Sequence, residues 1–137
     1  MRLTAALLVT FSIVLIATAQ DDTGKKETAK FTGTWAVLER NEKKVEKGKW
    51  ILKDGKIIDQ RGEKARDGKY VIDAAKKHID LVGEKATFVG IYEWIDAGKK
   101  LKICGAEVPD GTKKEDVRPK EIALKKGVIV FVLEKGS

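Results

Sequence analysis

From Thr34 to Leu133 apolar and polar residues alternate in short runs, broken every few residues by Gly, Asp or Lys. A period of two marks strands with one face buried. Thr34–Arg40 puts Trp35 and Val37 on one face, Ala36 and Leu38 on the other. Lys49–Leu52 and Lys56–Gln60 flank Asp54-Gly55, a pair suited to a type I′ turn because both central residues take positive φ. Asp67-Gly68 is a second such signal and predicts a turn into Tyr70–Asp73, with Tyr70 and Ile72 inward. His78–Val82 sends Ile79 and Leu81 inward. Thr87–Ile95 is the longest strand and is apolar on both faces: Phe88, Tyr92 and Trp94 on one, Val89, Ile91 and Ile95 on the other. Lys100–Cys104 follows the turn Asp96-Ala97-Gly98. Gly105–Val117 reads as a long polar loop, and Pro119–Leu124 and Val128–Leu133 as a last hairpin across Lys125-Lys126-Gly127. The unbroken apolar run of residues 128–133 suits a strand covered on both sides or one that closes a barrel.

No stretch after residue 31 sustains a helical period. About eight short strands in antiparallel meander order predict an all-β fold, an up-and-down barrel, because closure removes exposed edges. A two-sheet sandwich is the competing arrangement.

The chain before Phe31 has a different character. Met1-Arg2, an apolar run over Leu3–Ile16 and the small residues Ala17-Thr18-Ala19 form the pattern of a secretory signal peptide, residues 1–19. The run is shorter than the roughly 20 residues of a membrane span, so cleavage is expected rather than an uncleaved anchor. Residues 20–30 are polar and charged and read as a flexible tether, with one helical turn before Phe31 as the alternative, leaving residues 31–137 as the folded domain. This organisation predicts an exported protein, periplasmic or extracellular, without a membrane span after cleavage.

Charge and chemistry narrow the function. The net charge is +7, from lysines scattered among acids as in residues 40–47, a pattern typical of solvated faces. Nucleic-acid binding would need a clustered basic stripe with stacking aromatics, and none is expected here. A weak affinity for an acidic envelope polymer or anionic lipid, or a protein partner, fits the charge better. One cysteine, Cys104, excludes an internal disulfide, and its place in an alternating strand reads as packing. Beyond the leader the chain holds one serine (the terminal Ser137), one histidine (His78) and one cysteine, so an internal Ser-His-Asp triad is excluded and a Cys–His pair requires Cys104 to meet His78. No enzyme activity, metal or cofactor is expected. Glu93, between Tyr92 and Trp94, is the one carboxylate whose burial would mark a functional group.

The combination of Phe31-Thr32-Gly33-Thr34-Trp35, Gly90-Ile91-Tyr92-Glu93, Leu101-Lys102-Ile103-Cys104 and Arg118-Pro119-Lys120-Glu121 resembles the planctomycete-type lipocalin-like domain of unknown function, over Phe31 to Glu134. The resemblance implies a calycin-type barrel in which Gly33 lets the chain turn in and Trp35 plugs one end. It implies no reaction and no catalytic residue. Two features of true lipocalins are absent, a Thr-Asp-Tyr motif and an Arg in the last strand to stack on Trp35. Arg118, before that strand, is the only Arg in the last third of the chain.

A small barrel holds at most one ligand in its mouth. The functional expectation is therefore a non-enzymatic binding protein for a small apolar ligand, lined by Tyr70, Phe88, Tyr92, Glu93, Trp94 and Phe131, with the loop Gly105–Val117 over the mouth. The alternative is a cell-envelope interaction module with a filled barrel and a Lys-rich working surface.

Overall fold

A computed structural model describes residues 24–136. The leader expected at residues 1–19 and the terminal Ser137 lie outside the described residues. Nine strands form one antiparallel sheet: β1 (Gly33–Arg40), β2 (Lys43–Lys44), β3 (Gly48–Lys53), β4 (Lys56–Arg61), β5 (Lys64–Asp73), β6 (His78–Gly83), β7 (Thr87–Ile95), β8 (Lys100–Glu107) and β9 (Ile129–Lys135). Each long strand pairs with the next, and β9 returns to pair with β1, closing an eight-strand barrel. The two-residue β2 folds back on the end of β1 across Asn41 and Glu42, both at positive φ, and Asn41 accepts the Val130 N–H through its side chain at 2.9 Å.

Asp54 and Gly55 join β3 to β4 at φ of 51° and 79°, the geometry their sequence predicts. Asp67-Gly68 does not turn the chain. It lies in the middle of β5, opposite Ile58 and Ile57. The turn falls earlier, at Gly62-Glu63, where Gly62 takes φ of 62°. Gly68 is needed for space, since a Cβ there would stand 2.8 Å from the Val82 carbonyl oxygen.

Alternation sorts the side chains as expected. Trp35, Trp50, Leu52, Ile57, Tyr70, Ile79, Tyr92, Leu101, Ile103, Phe131 and Leu133 make one core inside the barrel. Val89, Cys104, Ala106 and Val130 point the other way and are buried as well. Their cover is the connection of residues 108–128, which packs on the outer wall. The loop expected over the mouth is thus a strap on the outside, and its first residues, Gly105–Glu107, belong to β8. Pro119–Leu124 forms no strand. It is part of this strap, beyond a single helical turn α2 (Lys114–Val117). The double-faced apolar character of β7 and β9 explains the arrangement, because both faces of these strands need covering.

The stretch expected to be a tether is helical over residues 24–31, here α1. An isolated helix of this length is marginal in water, so tertiary contacts hold it. Glu27 and Phe31, four residues apart and hence on one face, are both buried against the barrel.

Candidate functional site

Helix α1 seals one end of the barrel. Phe31 enters it and meets Tyr92 edge-on, ring centres 4.9 Å apart, and Trp94 at 4.8 Å. The C-terminal end of α1 is fixed twice. Trp35 Nε1 donates to the Phe31 carbonyl at 2.8 Å, and Lys135 Nζ donates to the Lys30 carbonyl at 3.2 Å. A cation and a donor at these free carbonyls complement the helix dipole. Lys135, the cross-strand partner of Trp35, also lies 5.6 Å from the Trp35 ring centre.

Near the middle of α1, Glu27 accepts the Tyr92 hydroxyl at 2.8 Å and the Lys77 ammonium, with Lys30 at 3.5 Å. Burial alone would raise the Glu27 carboxyl, but the Lys77 and Tyr92 hydrogen bonds and the nearby lysine charges outweigh it and hold the group below the usual carboxylate range. The Tyr92 phenol moves well above its ordinary value, first through burial and then through the Glu27 carboxylate beside it. Lys77 also stands 5.5 Å from the Tyr92 ring centre.

At the opposite end Phe131 packs on Trp50 at 5.0 Å and on Phe88 at 6.0 Å, with Arg40 at 6.0 Å from the Phe131 ring centre. Gly90 and Gly105 face each other across β7 and β8. A Cβ on Gly105 would stand 2.4 Å from the Phe88 ring, so the bare backbone makes room for it.

The six expected lining residues therefore do not surround one chamber. Tyr92 and Trp94 belong to the α1 end, Phe88 and Phe131 to the other. Glu93 is exposed on the outer wall, opposite Lys102, because its position in β7 has the wrong parity for the interior. Tyr70 borders an open recess, a cleft of about 510 Å³ between α1 and the barrel rim, lined also by Lys25, Thr28, Ala29, Asp54 and Ile72. The Tyr70 hydroxyl is buried and has no hydrogen-bond partner among the described residues.

His78 and Cys104 occupy the same cross-strand row on the outer wall, with Ile91 of β7 between them. Two strand spacings separate their backbones by roughly 10 Å. Cys104 is covered by the strap, its thiol directed at the carbonyls of Glu121 and Ala123 at 3.6 and 3.7 Å. The strap is pinned by Arg118. Its guanidinium donates to the Gly90 carbonyl at 2.8 Å, pairs with Asp80 at 2.8 Å and grips Glu115 at 3.0–3.2 Å. Among the described residues no group of three or more His, Cys, Asp or Glu is placed to hold a metal ion, and no helix is long and apolar enough to cross a membrane.

Sequence reasoning missed the roles of Glu27 and Arg118, since charged residues in polar stretches read as solvated. The only signal for Glu27 is periodicity, one helical turn before Phe31, and Arg118 stands in a motif that gives it no role. Comparison with protein-family models, curated proteins and solved structures finds no match.

Proposed function

We propose that this chain is an exported, non-enzymatic binding module on a lipocalin-like barrel, and that it works through its outer surface. The observation that carries this reading is the filled interior. Aromatic side chains from Phe31, Trp35, Tyr92 and Trp94 occupy one end and Trp50, Phe88 and Phe131 the other. Export rests on the pattern of residues 1–19. The lipocalin-like assignment draws support from Lys135, which supplies from the last strand the cation over Trp35 that the absent Arg would provide. The test is retention on a soluble polyanion, dextran sulfate, at low and high salt. Salt-sensitive retention is expected; passage without retention, together with stabilisation by small hydrophobic molecules, would reverse the assignment.

A second reading keeps a small apolar ligand but moves it from the lumen to the cleft beside α1. The unpartnered Tyr70 hydroxyl at that cleft favours it. A ligand with an acceptor group and an apolar body fits Tyr70, Ile72 and Ala29. A rise in melting temperature with fatty acids or small aromatics, lost in Tyr70→Phe, supports this reading. The same rise in Tyr70→Phe removes the hydroxyl from it.

A further inference from the structure

The pairing register assembles a basic block that the linear sequence does not display. Lys53, Lys56 and Lys69 are direct cross-strand neighbours on β3, β4 and β5. They stand on the outer wall, since Leu52, Ile57 and Tyr70 beside them are core residues. Adjacent strands lie about 4.8 Å apart, so three ammonium-bearing stems project from one row. Lys49 stands on the same face two pairs away, opposite Gln60. Like charges placed directly opposite one another destabilise a sheet.

Among the described residues none of these four lysines forms an ion pair. Lys30 and Lys77 pair with Glu27, Lys100 with Glu134, Lys114 with Asp80 and Lys125 with Glu121. Asp67 and Asp73, the carboxylates on the outer side of β5, are in no ion pair with the row.

The same face carries exposed apolar side chains. Ile51 and Ile58 face each other one step beyond the lysine row, with Ile58 37% exposed. Val71 lies on the other side of the row and is 59% exposed. Of the three large hydrophobic residues exposed among the described residues, two flank the unpaired lysines.

We infer that this face of β3–β5 docks on an anionic lipid bilayer. The inference rests on the surface reading above and names its partner. Unpaired ammonium groups call for anions spread over a surface. Apolar side chains between them call for a partner with hydrocarbon just beneath its charge, which a polysaccharide chain lacks. Lysine stems lie along the apolar residues and lift their heads to the phosphates, while Ile58 and Val71 enter the acyl boundary.

The test is co-sedimentation of the chain, purified after export, with phosphatidylcholine vesicles that contain or lack phosphatidylglycerol. Binding is expected only with phosphatidylglycerol and falls with salt. The variant Lys53→Gln/Lys56→Gln/Lys69→Gln is expected to bind roughly 100-fold more weakly, at the usual contribution of a lysine near an anionic membrane. Its melting temperature stays equal or rises, because the substitutions remove like-charge neighbours. A control of equal charge, Lys85→Gln/Lys113→Gln/Lys126→Gln, retains most binding, and Val71→Ser loses severalfold. Equal loss in the control, or equal binding to uncharged vesicles, overturns the inference. Dextran sulfate and the small-molecule panel distinguish the two levels. Polyanion retention through the same lysines without vesicle binding overturns the lipid partner and leaves the surface reading standing. Neither kind of binding, with stabilisation by a small hydrophobic molecule, removes both.

Discussion

Tyr92 donates its hydroxyl to Glu27 across 2.8 Å, joining the middle of the barrel wall to the helix that closes it. Both groups are buried, so each depends on the other for its hydrogen bond. Glu27→Ala strands the Tyr92 hydroxyl and removes the Lys77 ion pair. The expected cost is about 1–3 kcal/mol, read from urea unfolding. Tyr92→Phe leaves Lys77 on the carboxylate and costs less, about 1 kcal/mol. Equal stability of all three proteins would mean that α1 is not held by this contact.

The same pair sets a pH dependence. Glu27 is held below its ordinary value of 4.5, against the effect of burial, by the hydrogen bonds from Lys77 and Tyr92. The unfolded chain therefore takes up the proton first as pH falls, so the contribution is present above the ordinary value and lost as pH drops through the lowered one. Tyr92 works in the opposite sense. Its phenol is raised from 10.0, by burial first and by Glu27 second, so its contribution is intact below pH 10 and declines as pH rises beyond it. Melting curves across pH are expected to show both shoulders. Glu27→Gln flattens the acid one and Tyr92→Phe the alkaline one. An unchanged acid limb in Glu27→Gln would assign that transition to other carboxylates.

Alternation made the barrel legible because each strand has a committed inner face. Trp35, Tyr70, Ile79, Leu81, Phe88, Tyr92 and Trp94 all point where their parity places them. The doubly apolar β7 and β9 announced a second covering layer without naming it. That layer stayed hidden because the strap is polar in sequence and attaches through one buried arginine and backbone contacts, which leave no periodic trace. Helix α1 was hidden for the same reason: only Phe31 of its buried face is apolar. Asp67-Gly68 misled because a glycine chosen for space in a crowded interior looks like one chosen for a turn. The lysine row of β3–β5 depends on register, and register is not written in any one strand.

Arg118 is expected to hold the strap. Its side chain reaches Gly90, Asp80 and Glu115 at once, and only Glu115 is well exposed. Arg118→Ala removes the donor on the Gly90 carbonyl and leaves Asp80 only the exposed Lys114 ammonium at 3.7 Å; it is expected to cost about 3 kcal/mol, the low end for a buried pair because Lys114 and water still reach Asp80. A second readout is the thiol beneath the strap. Cys104 is expected to react slowly with a thiol reagent in the native protein and much faster in Arg118→Ala, at denaturant concentrations where the barrel signal is intact. Equal labelling rates would show that the strap stays closed without Arg118.

The lumen itself is tested at Gly105. This residue leaves a gap in the inner wall that the Phe88 ring fills, while a Cβ on its partner Gly90 would stand 2.6 Å from the Cys104 carbonyl oxygen. A methyl group on Gly105 meets that ring and also the Val89 carbonyl oxygen at 2.6 Å, a backbone atom that cannot rotate away. Gly105→Ala is expected to destabilise by about 1–3 kcal/mol, as overpacking does. Adding Phe88→Leu relieves the contact with the ring but not the one with the backbone, so it recovers part of the loss. That partial recovery measures how tightly the interior is filled. Full tolerance of Gly105→Ala would mean that the wall has slack, and a barrel with slack at this end has room for a ligand. The measurement tests the filled interior, the observation from which the surface reading is argued. It needs no knowledge of any partner.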